Sequence, residues 1–300
     1  MTLLTEFESR PPLTIKDLKG HAEPDWCPGC GDFGVLHALK QAIVDLGLYP
    51  HEVLTISGIG CSSNLPGYIN TYGMHTLHGR SLAVASGAQL ANHTLKVVVT
   101  GGDGDGYGIG GNHLLHAMRR NLDLTYIVMD NQIYGLTTGQ VSPTSIKGMK
   151  TKSTPFGSVD NPLNPIPLAI AAGATYVARG YTGQVKHLVE LIKGGMQHRG
   201  FALIDCFSPC VTFNRDNTHD FFKQRVRKLD ENGHDPTDFH AAIDRAYEWG
   251  EEIPIGLFWR RDDVPALDEL EPVLASGGAL ATRVLGIDAE TARGLVAELM

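Results

Sequence analysis

The chain has 300 residues, 42% hydrophobic and 19% charged, with a formal net charge of −8. That length suffices for one large α/β domain or a domain with an extension, and the composition excludes a disordered chain. The acidic balance, with no long basic run, argues against a nucleic-acid-binding role, and no apolar run reaches the roughly 18–20 residues that span a bilayer.

Residues 1–20 show no basic segment followed by an apolar core, so a cytoplasmic location is expected. Residues 31–46 read as a helix, 52–57 (EVLTIS) as a strand and 80–92 as a helix. A strand over 96–100 (KVVVT), a helix over 111–121 and a strand over 124–129 (LTYIVM) follow. Residues 137–167, rich in Thr, Ser, Gly and Pro, show no helix or strand; they read as a lid, a partner contact or a mobile surface loop. Lys147, Lys150 and Lys152 in this stretch read as solvated charges, with coenzyme A phosphates as the other reading. A strand over 174–178, a helix over 182–194 and a strand over 201–205 (FALID) complete the pattern. Strands apolar on both faces and separated by helices imply a doubly wound, mostly parallel α/β sheet, with ligands beyond the carboxyl ends of its strands. That unit is expected over residues 1–211. Polar helices over 212–300 are expected to form a C-terminal extension.

The stretch KVVVTGGDGDGYGIGG (96–111) runs a strand into a glycine loop and then a helix, a geometry that aims backbone N–H groups at phosphate. Gly106, Gly108 and Gly111 match G-x-G-x-x-G, and Asp130 would then be the ribose acceptor of a nicotinamide fold. However, Asp103 and Asp105 sit in the loop and would repel a bare pyrophosphate. A divalent cation between carboxylate and phosphate reverses that repulsion, and Mg²⁺ takes one or two carboxylates plus phosphate oxygens. The loop therefore favours a metal–diphosphate cofactor over a dinucleotide. After the next strand comes Asp130-Asn131-Gln132-Ile133-Tyr134-Gly135. Gly102-Asp103-Gly104, a strand and then Asn131 resemble the two ends of the thiamine-diphosphate motif. The resemblance implies Mg²⁺ on Asp103, the Asn131 side chain and the Ile133 carbonyl.

The five cysteines are Cys27, Cys30, Cys61, Cys206 and Cys210. Cys27 and Cys30 form a C-x-x-C on a Pro-Gly turn; Cys61 follows a strand; Cys206 and Cys210 follow another, at the same end of the sheet. Zinc, an iron–sulfur cluster and a redox C-x-x-C all fit that spacing.

The strings WCPGCGDFGVL, SGIGCSSNLPGY, TLHGR, GDGDGYGIGGNH, NQIYGLTTGQVSPTS and SPCVTFN run in order from Trp26 to Asn214. Together they resemble the β subunit of two-subunit 2-oxoacid:ferredoxin oxidoreductases. The resemblance implies thiamine diphosphate, Mg²⁺ and a [4Fe–4S] cluster as cofactors. It implies cluster ligands Cys27, Cys30, Cys61 and, in SPCVTFN, Cys210, leaving Cys206 as a small buried hydrophobe. It places Gly60, Cys61, Ser62, His78, Gly102, Asp103, Gly104, Asp105, Asn131, Ile133, Gly135 and Leu136 around the cofactor. The expected reaction is oxidative decarboxylation of a 2-oxoacid with coenzyme A to acyl-CoA and CO₂, reducing ferredoxin. The glutamate that meets the aminopyrimidine is expected on an α subunit, in an (αβ)₂ assembly, so no catalytic residue is assigned to this chain. Asn64, Arg80 and Thr138 are candidate substrate contacts. 2-Oxoglutarate is the favoured substrate, with pyruvate and branched 2-oxoacids as alternatives. Three other readings stand beside it: a non-redox thiamine-diphosphate decarboxylase subunit with a structural zinc site, a nicotinamide dehydrogenase, and a zinc-stabilised binding module.

Overall fold

The computed structural model describes residues 11–283 and 286–298. Residues 1–10, half of the stretch read for a leader, and 284–285 and 299–300 of the C-terminal extension lie outside the described residues. The strands are β1 (Val53–Ser57), β2 (Tyr72–His75), β3 (Lys96–Gly102), β4 (Leu124–Asp130), β5 (Tyr176–Tyr181), β6 (Phe201–Phe207), β7 (Val226–Lys228) and β8 (Ile253–Arg260). They form one sheet in the order β2-β1-β3-β4-β6-β5-β8-β7. Every pairing is parallel except that of β5 with β8. The α-helices are α1 (Asp32–Asp45), α2 (Leu65–Tyr68), α3 (Ser81–Ala91), α4 (Gly111–Arg119), α5 (Pro165–Ala171), α6 (Val185–Gln197), α7 (His219–Arg225), α8 (Phe239–Ala246), α9 (Leu267–Leu270), α10 (Pro272–Ala275) and α11 (Ala289–Glu298). None of them is long and apolar enough to cross a membrane.

The central strands β4, β5 and β6 are buried along their whole length. Alternate side chains feed two cores. Val97 and Val99 of β3 pack with α3, α4, α5 and α8, whereas Val98, with Ile127 and Ile204, packs with α1 and α6. From β1 the chain goes outward to β2 and then returns across β1 to β3, which makes a topological switch point between β1 and β3. Ligands of open parallel sheets bind there, beyond the carboxyl ends.

Three strands depart from the sequence reading. β2 (YGMH) is an exposed edge strand without β-branched residues, so it carries no strand signal. β7 and β8 lie in the C-terminal segment read as helical, and both add to the same sheet. Pro254 and Gly256 interrupt the apolar run of β8, and such breakers argue against a strand when read locally. Residues 137–167 hold no element before α5, as expected. The inner part of that stretch is nevertheless packed: Ser142, Thr144 and Ser145 are buried.

Candidate functional site

Two cavities open at the switch point and share a wall. The first, about 170 Å³, is lined by the ends of β1, β3 and β4 with the loops that follow them. All twelve residues expected around the cofactor line it, from Gly60 to Leu136, together with Asp32, Tyr134 and Thr137. The second, about 480 Å³, is lined by Cys27, Cys30, Cys61 and Cys210, with Asn64 and Thr138. Ile59, Gly60, Cys61, Asn131, Gly135 and Leu136 line both. Arg80 lines neither; its Nη1 donates to the Gly79 carbonyl at 3.3 Å.

In the first cavity the glycine loop turns as a widened helical turn, with Gly110 N–H donating to the Asp105 carbonyl at 2.9 Å. Such i→i+5 turns concentrate at functional sites. Gly104 is required by the fold, because a Cβ there would lie 2.1 Å from the Tyr134 ring. A Cβ on Gly102 would meet no protein atom nearer than 3.9 Å, and it faces the cavity. That space suits a ligand approaching the backbone. The Ser62 hydroxyl and Asp105 Oδ2 are buried here without a hydrogen-bond partner. The Ser62 hydroxyl can donate to a phosphate oxygen, whereas the Asp105 oxygen, an acceptor only, cannot.

Asp103 stands at the end of β3, 1% exposed. Thr144 donates its hydroxyl to Asp103 Oδ2 at 2.6 Å, and the Ser142 hydroxyl donates to the same oxygen. Burial pushes the Asp103 carboxyl up to about 6, against these hydroxyls. Thr144 Oγ1 also lies 2.8 Å from Asp130 Oδ1. One hydroxyl has a single proton to give, so one carboxyl of the pair must carry its own. Asp130 is that one: burial, then the Asp103 and Asp205 charges, raise it well above the carboxylate range. Asn131 Oδ1 accepts from Ile133 N–H at 3.1 Å, a side-chain turn that brings Asn131 and Ile133 to the same cavity. Gln132 between them adopts φ 57°. Asn214 Nδ2 donates to the Asn131 carbonyl at 2.9 Å and anchors the turn. The chemistry of this donor set, one carboxylate and amide oxygens beside open backbone, suits Mg²⁺ with a diphosphate.

The cysteine wall is assembled from three loops. Cys30 N–H donates to the Cys27 carbonyl at 2.9 Å across Pro28-Gly29, with Gly29 at φ 85°, the type II geometry that Pro-Gly favours. Gly31 N–H donates to the Pro209 carbonyl at 3.2 Å and ties this turn to the loop of Cys210. Trp26 Nε1 donates to the Cys61 carbonyl at 2.5 Å. A Cβ on Gly135 would lie 3.3 Å from Cys61 Sγ and 3.7 Å from Cys210 Sγ. Burial, followed by the Asp32 charge, pushes the Cys61 thiol up to about 12 and raises Cys30 as well. Cys206 does not line this cavity; it is fully buried in the α1/α6 core. Among the described residues no three His, Cys, Asp or Glu side chains form a ligand set for one metal ion.

The sequence reading missed Asp32, Ser142, Thr144 and Asn214. Asp32 is 1% exposed, accepts from the Ser208 hydroxyl and is pushed up to about 6 by burial. No glutamate lines either cavity.

The chain is similar to known proteins over most of its length. Residues 58–206 match the family model described as thiamine pyrophosphate enzyme, C-terminal TPP binding domain. Residues 210–276 match the model for the C-terminal part of the pyruvate ferredoxin oxidoreductase β chain. The chain is 49% identical to a 2-oxoacid:ferredoxin oxidoreductase subunit beta from Sulfolobus, over 82% of this chain and 84% of the relative. It is 48% identical to the 2-oxoglutarate oxidoreductase subunit KorB of Mycobacterium tuberculosis, over 68% of this chain and 54% of the relative. It superposes with a TM-score of 0.88 on a chain of the 2-oxoglutarate:ferredoxin oxidoreductase from Magnetococcus marinus, solved with 2-oxoglutarate, coenzyme A and succinyl-CoA bound. That match is 44% identical and covers 96% of this chain and 98% of the other. The sheet, the acidic glycine loop at its switch point and these likenesses together make the chain a member of the thiamine-diphosphate-dependent 2-oxoacid:ferredoxin oxidoreductase family, as its β subunit.

Proposed function

We propose that this β subunit holds Mg²⁺–thiamine diphosphate on Asp103, Asn131 and the Ile133 carbonyl. We further propose that Cys27, Cys30, Cys61 and Cys210 of the same chain hold a [4Fe–4S] cluster. With an α partner it oxidises a 2-oxoacid, 2-oxoglutarate by preference, to acyl-CoA and CO₂ and reduces ferredoxin. The observation that carries this reading is the shared wall between the two cavities. It sets the four thiols directly beside the diphosphate cradle, so electrons released at one have a short path to the other. Two relatives named for 2-oxoglutarate, at 48% and 44% identity, support the substrate. A zinc site would need its thiolates within about 2.3 Å of one ion. A four-iron cluster spreads its ligands over separate corners, which suits thiols lining the wall of a cavity.

Bound thiamine diphosphate supplies a carbon nucleophile for the keto carbon and a sink for the electron pair left when CO₂ departs. This chain's residues do the positioning. Asp103 and Asn131 bind the cation that neutralises the diphosphate, and Ser142 and Thr144 fix the Asp103 carboxylate. Ser62, with its buried unpartnered hydroxyl, and His78 are donors toward the phosphate oxygens. Gly102 admits the cofactor to the backbone. Burial raises the Cys30 and Cys61 thiols, so metal binding must displace their protons. The glutamate expected against the aminopyrimidine lines neither cavity, and we assign it to the α partner.

The test is anaerobic purification of the αβ complex, separation of its subunits, and assay of iron, acid-labile sulfide and zinc on each. About four iron and four sulfide on this chain support the cluster assignment. Iron found only with the α partner, or zinc without sulfide here, overturns it. Substrate follows from turnover with 2-oxoglutarate, pyruvate and a branched 2-oxoacid, and a preference for either of the last two would reverse that part.

A further inference from the structure

We infer that the groove between residues 146–150 and 213–216 is the docking surface for an acidic one-electron carrier protein; this rests on the cluster reading above. The groove, about 540 Å³, is lined by Ile146, Lys147, Met149, Lys150, Phe213 and Arg215, with Gly148 and Asp216. Phe213 is its one residue that also lines the cysteine cavity. The Phe213 N–H meets Cys210 Sγ at 3.4 Å. The groove therefore abuts the thiols through Phe213 and through Met149, which packs in one buried cluster with Cys210 and Ile133, and it shares no lining residue with the diphosphate cavity.

Its rim is cationic. Lys147, Lys150, Lys152 and Arg215 are all exposed, and none forms an ion pair with a described residue. Lys147 Nζ only donates to Asn161 Oδ1, at 3.1 Å. The acidic groups on residues 146–160 and 213–216 are Asp160 and Asp216, so cations predominate here on a chain whose net charge is −8. Beside them stand two bare apolar side chains, Phe156 at 97% and Val159 at 82% exposure. Backbone hydrogen bonds from Gly148 N–H to Ser158 and from Ser158 N–H to Met149 hold residues 156–159 against the lysine segment. An apolar centre with a charged rim suits a small, short-lived encounter: the rim steers an oppositely charged partner and the centre gives close contact without tight binding. Coenzyme A is the weaker occupant. Its thiol must reach the substrate carbon in the diphosphate cavity, from which this groove is separated by the packed side chains of Ile133, Met149 and Cys210.

Each encounter moves one electron outward, so the cluster loses one electron and the carrier gains it. A 2-oxoacid and coenzyme A yield acyl-CoA, CO₂, one proton and two electrons; two carriers are therefore reduced per turnover.

The test uses the αβ holoenzyme, a purified acidic ferredoxin and calorimetry at about 50 and about 300 mM NaCl. The wild type should bind about tenfold more weakly at the higher salt, as a steered ionic contact does. Lys147→Glu, Lys150→Glu and Arg215→Glu combined should weaken binding at low salt by about tenfold or more and remove the salt dependence. The corresponding Gln triple variant should fall between. Iron content, the rate of reducing a small neutral dye and the KM for coenzyme A should not move. Wild-type affinity in an iron-replete Glu variant overturns the docking surface. A raised KM for coenzyme A would reassign the groove to that ligand, and lysines shielded from amine labelling by the α subunit would reassign it to the subunit interface. Absence of iron from the wild-type chain would instead overturn the cluster reading itself.

Discussion

The Asp105 carboxylate receives the His78 ring Nδ1 at 2.8 Å, and the same oxygen accepts the backbone N–H groups of Gly79 at 2.7 Å and Ile59 at 2.9 Å. One buried carboxylate thus pins the loop after β1, the turn before α3 and the glycine loop after β3 in a single arrangement. Asp105→Ala would leave two backbone donors unpaired near the core, at about 1–3 kcal/mol each. The urea midpoint should fall steeply and thiamine diphosphate binding should be lost with it. His78→Ala leaves both backbone bonds in place, so stability should change by less than about 1 kcal/mol. Cofactor affinity should nonetheless drop about tenfold, the size of one lost hydrogen bond to a charged ligand. If His78→Ala binds the cofactor as tightly as the wild type, His78 has no role toward the diphosphate.

Asp103 gives the site a pH dependence with a definite sign. Its folded carboxyl is raised to about 6 from an ordinary 3.8, with burial the leading cause. Without metal the native state holds this proton more firmly than the unfolded chain, so stability contributed by the protonated form is present at low pH and falls as pH rises from about 4 to about 6. Metal binding needs the carboxylate and runs the other way. Mg²⁺–thiamine diphosphate affinity should lose about tenfold per pH unit below about 6 and be flat above it. Thermal shifts with and without the cofactor at pH 5 and pH 7.5 would check both halves, and equal shifts at the two values would refute the assignment.

The two hydroxyls on Asp103 come from the long segment before α5. Removing such supports of a metal ligand typically costs 10–100-fold in metal affinity. Ser142→Ala with Thr144→Ala should therefore weaken Mg²⁺ half-saturation by about that factor while leaving the iron content unchanged. Cofactor retention at wild-type Mg²⁺ levels would show that the strap serves packing alone.

Much of this architecture is legible in the sequence. KVVVT and LTYIVM are apolar on both faces, which places them at the centre of a parallel sheet, and the glycine loop directly after KVVVT then falls at the ligand end. The acidic loop also discriminates between cofactors, because Asp103 makes sense only with a cation. What escapes is whatever depends on distant partners. Asp105 reads as a second charge near phosphate, yet its hydrogen bonds go to His78, Gly79 and Ile59, residues brought to it only by folding. Ser142 and Thr144 sit in a segment with no periodicity. Pro254 and Gly256 hide β8, whose place beside β5 is set by pairing rather than by local propensity.

Cys206 and Cys210 are four residues apart and face different surroundings. Cys206 lies in the α1/α6 core, fully buried, whereas Cys210 lines the cavity of the other three thiols. Cys206→Ala should keep full iron and lose about 1 kcal/mol of stability, the price of a small buried group. Cys210→Ala should lose the cluster absorbance while the chain keeps its thiamine diphosphate site. Iron lost from the Cys206 variant alone would exchange the two roles.

Behind the cofactor site, Arg179 on β5 is 2% exposed and donates from Nε to Asp205 Oδ2 at 3.3 Å. Its guanidinium lies 5.3 Å from the ring centres of both Phe207 and Phe258 and donates from Nη2 to Asn164 Oδ1 at 3.1 Å. Burial raises the Asp205 carboxyl, and Arg179 pulls it back down. Removing the cation alone strands a buried carboxylate, which typically costs about 3–5 kcal/mol. Arg179→Met should therefore destabilise strongly at neutral pH. Because the stranded Asp205 would then hold its proton more firmly in the folded than in the unfolded state, part of that loss should be recovered as the pH is lowered toward the raised folded pKa. Replacing the pair, Arg179→Met with Asp205→Asn, removes both charges and should regain most of the stability. A double variant no better than Arg179→Met would mean that the guanidinium acts through its stacking between Phe207 and Phe258 and not through its charge.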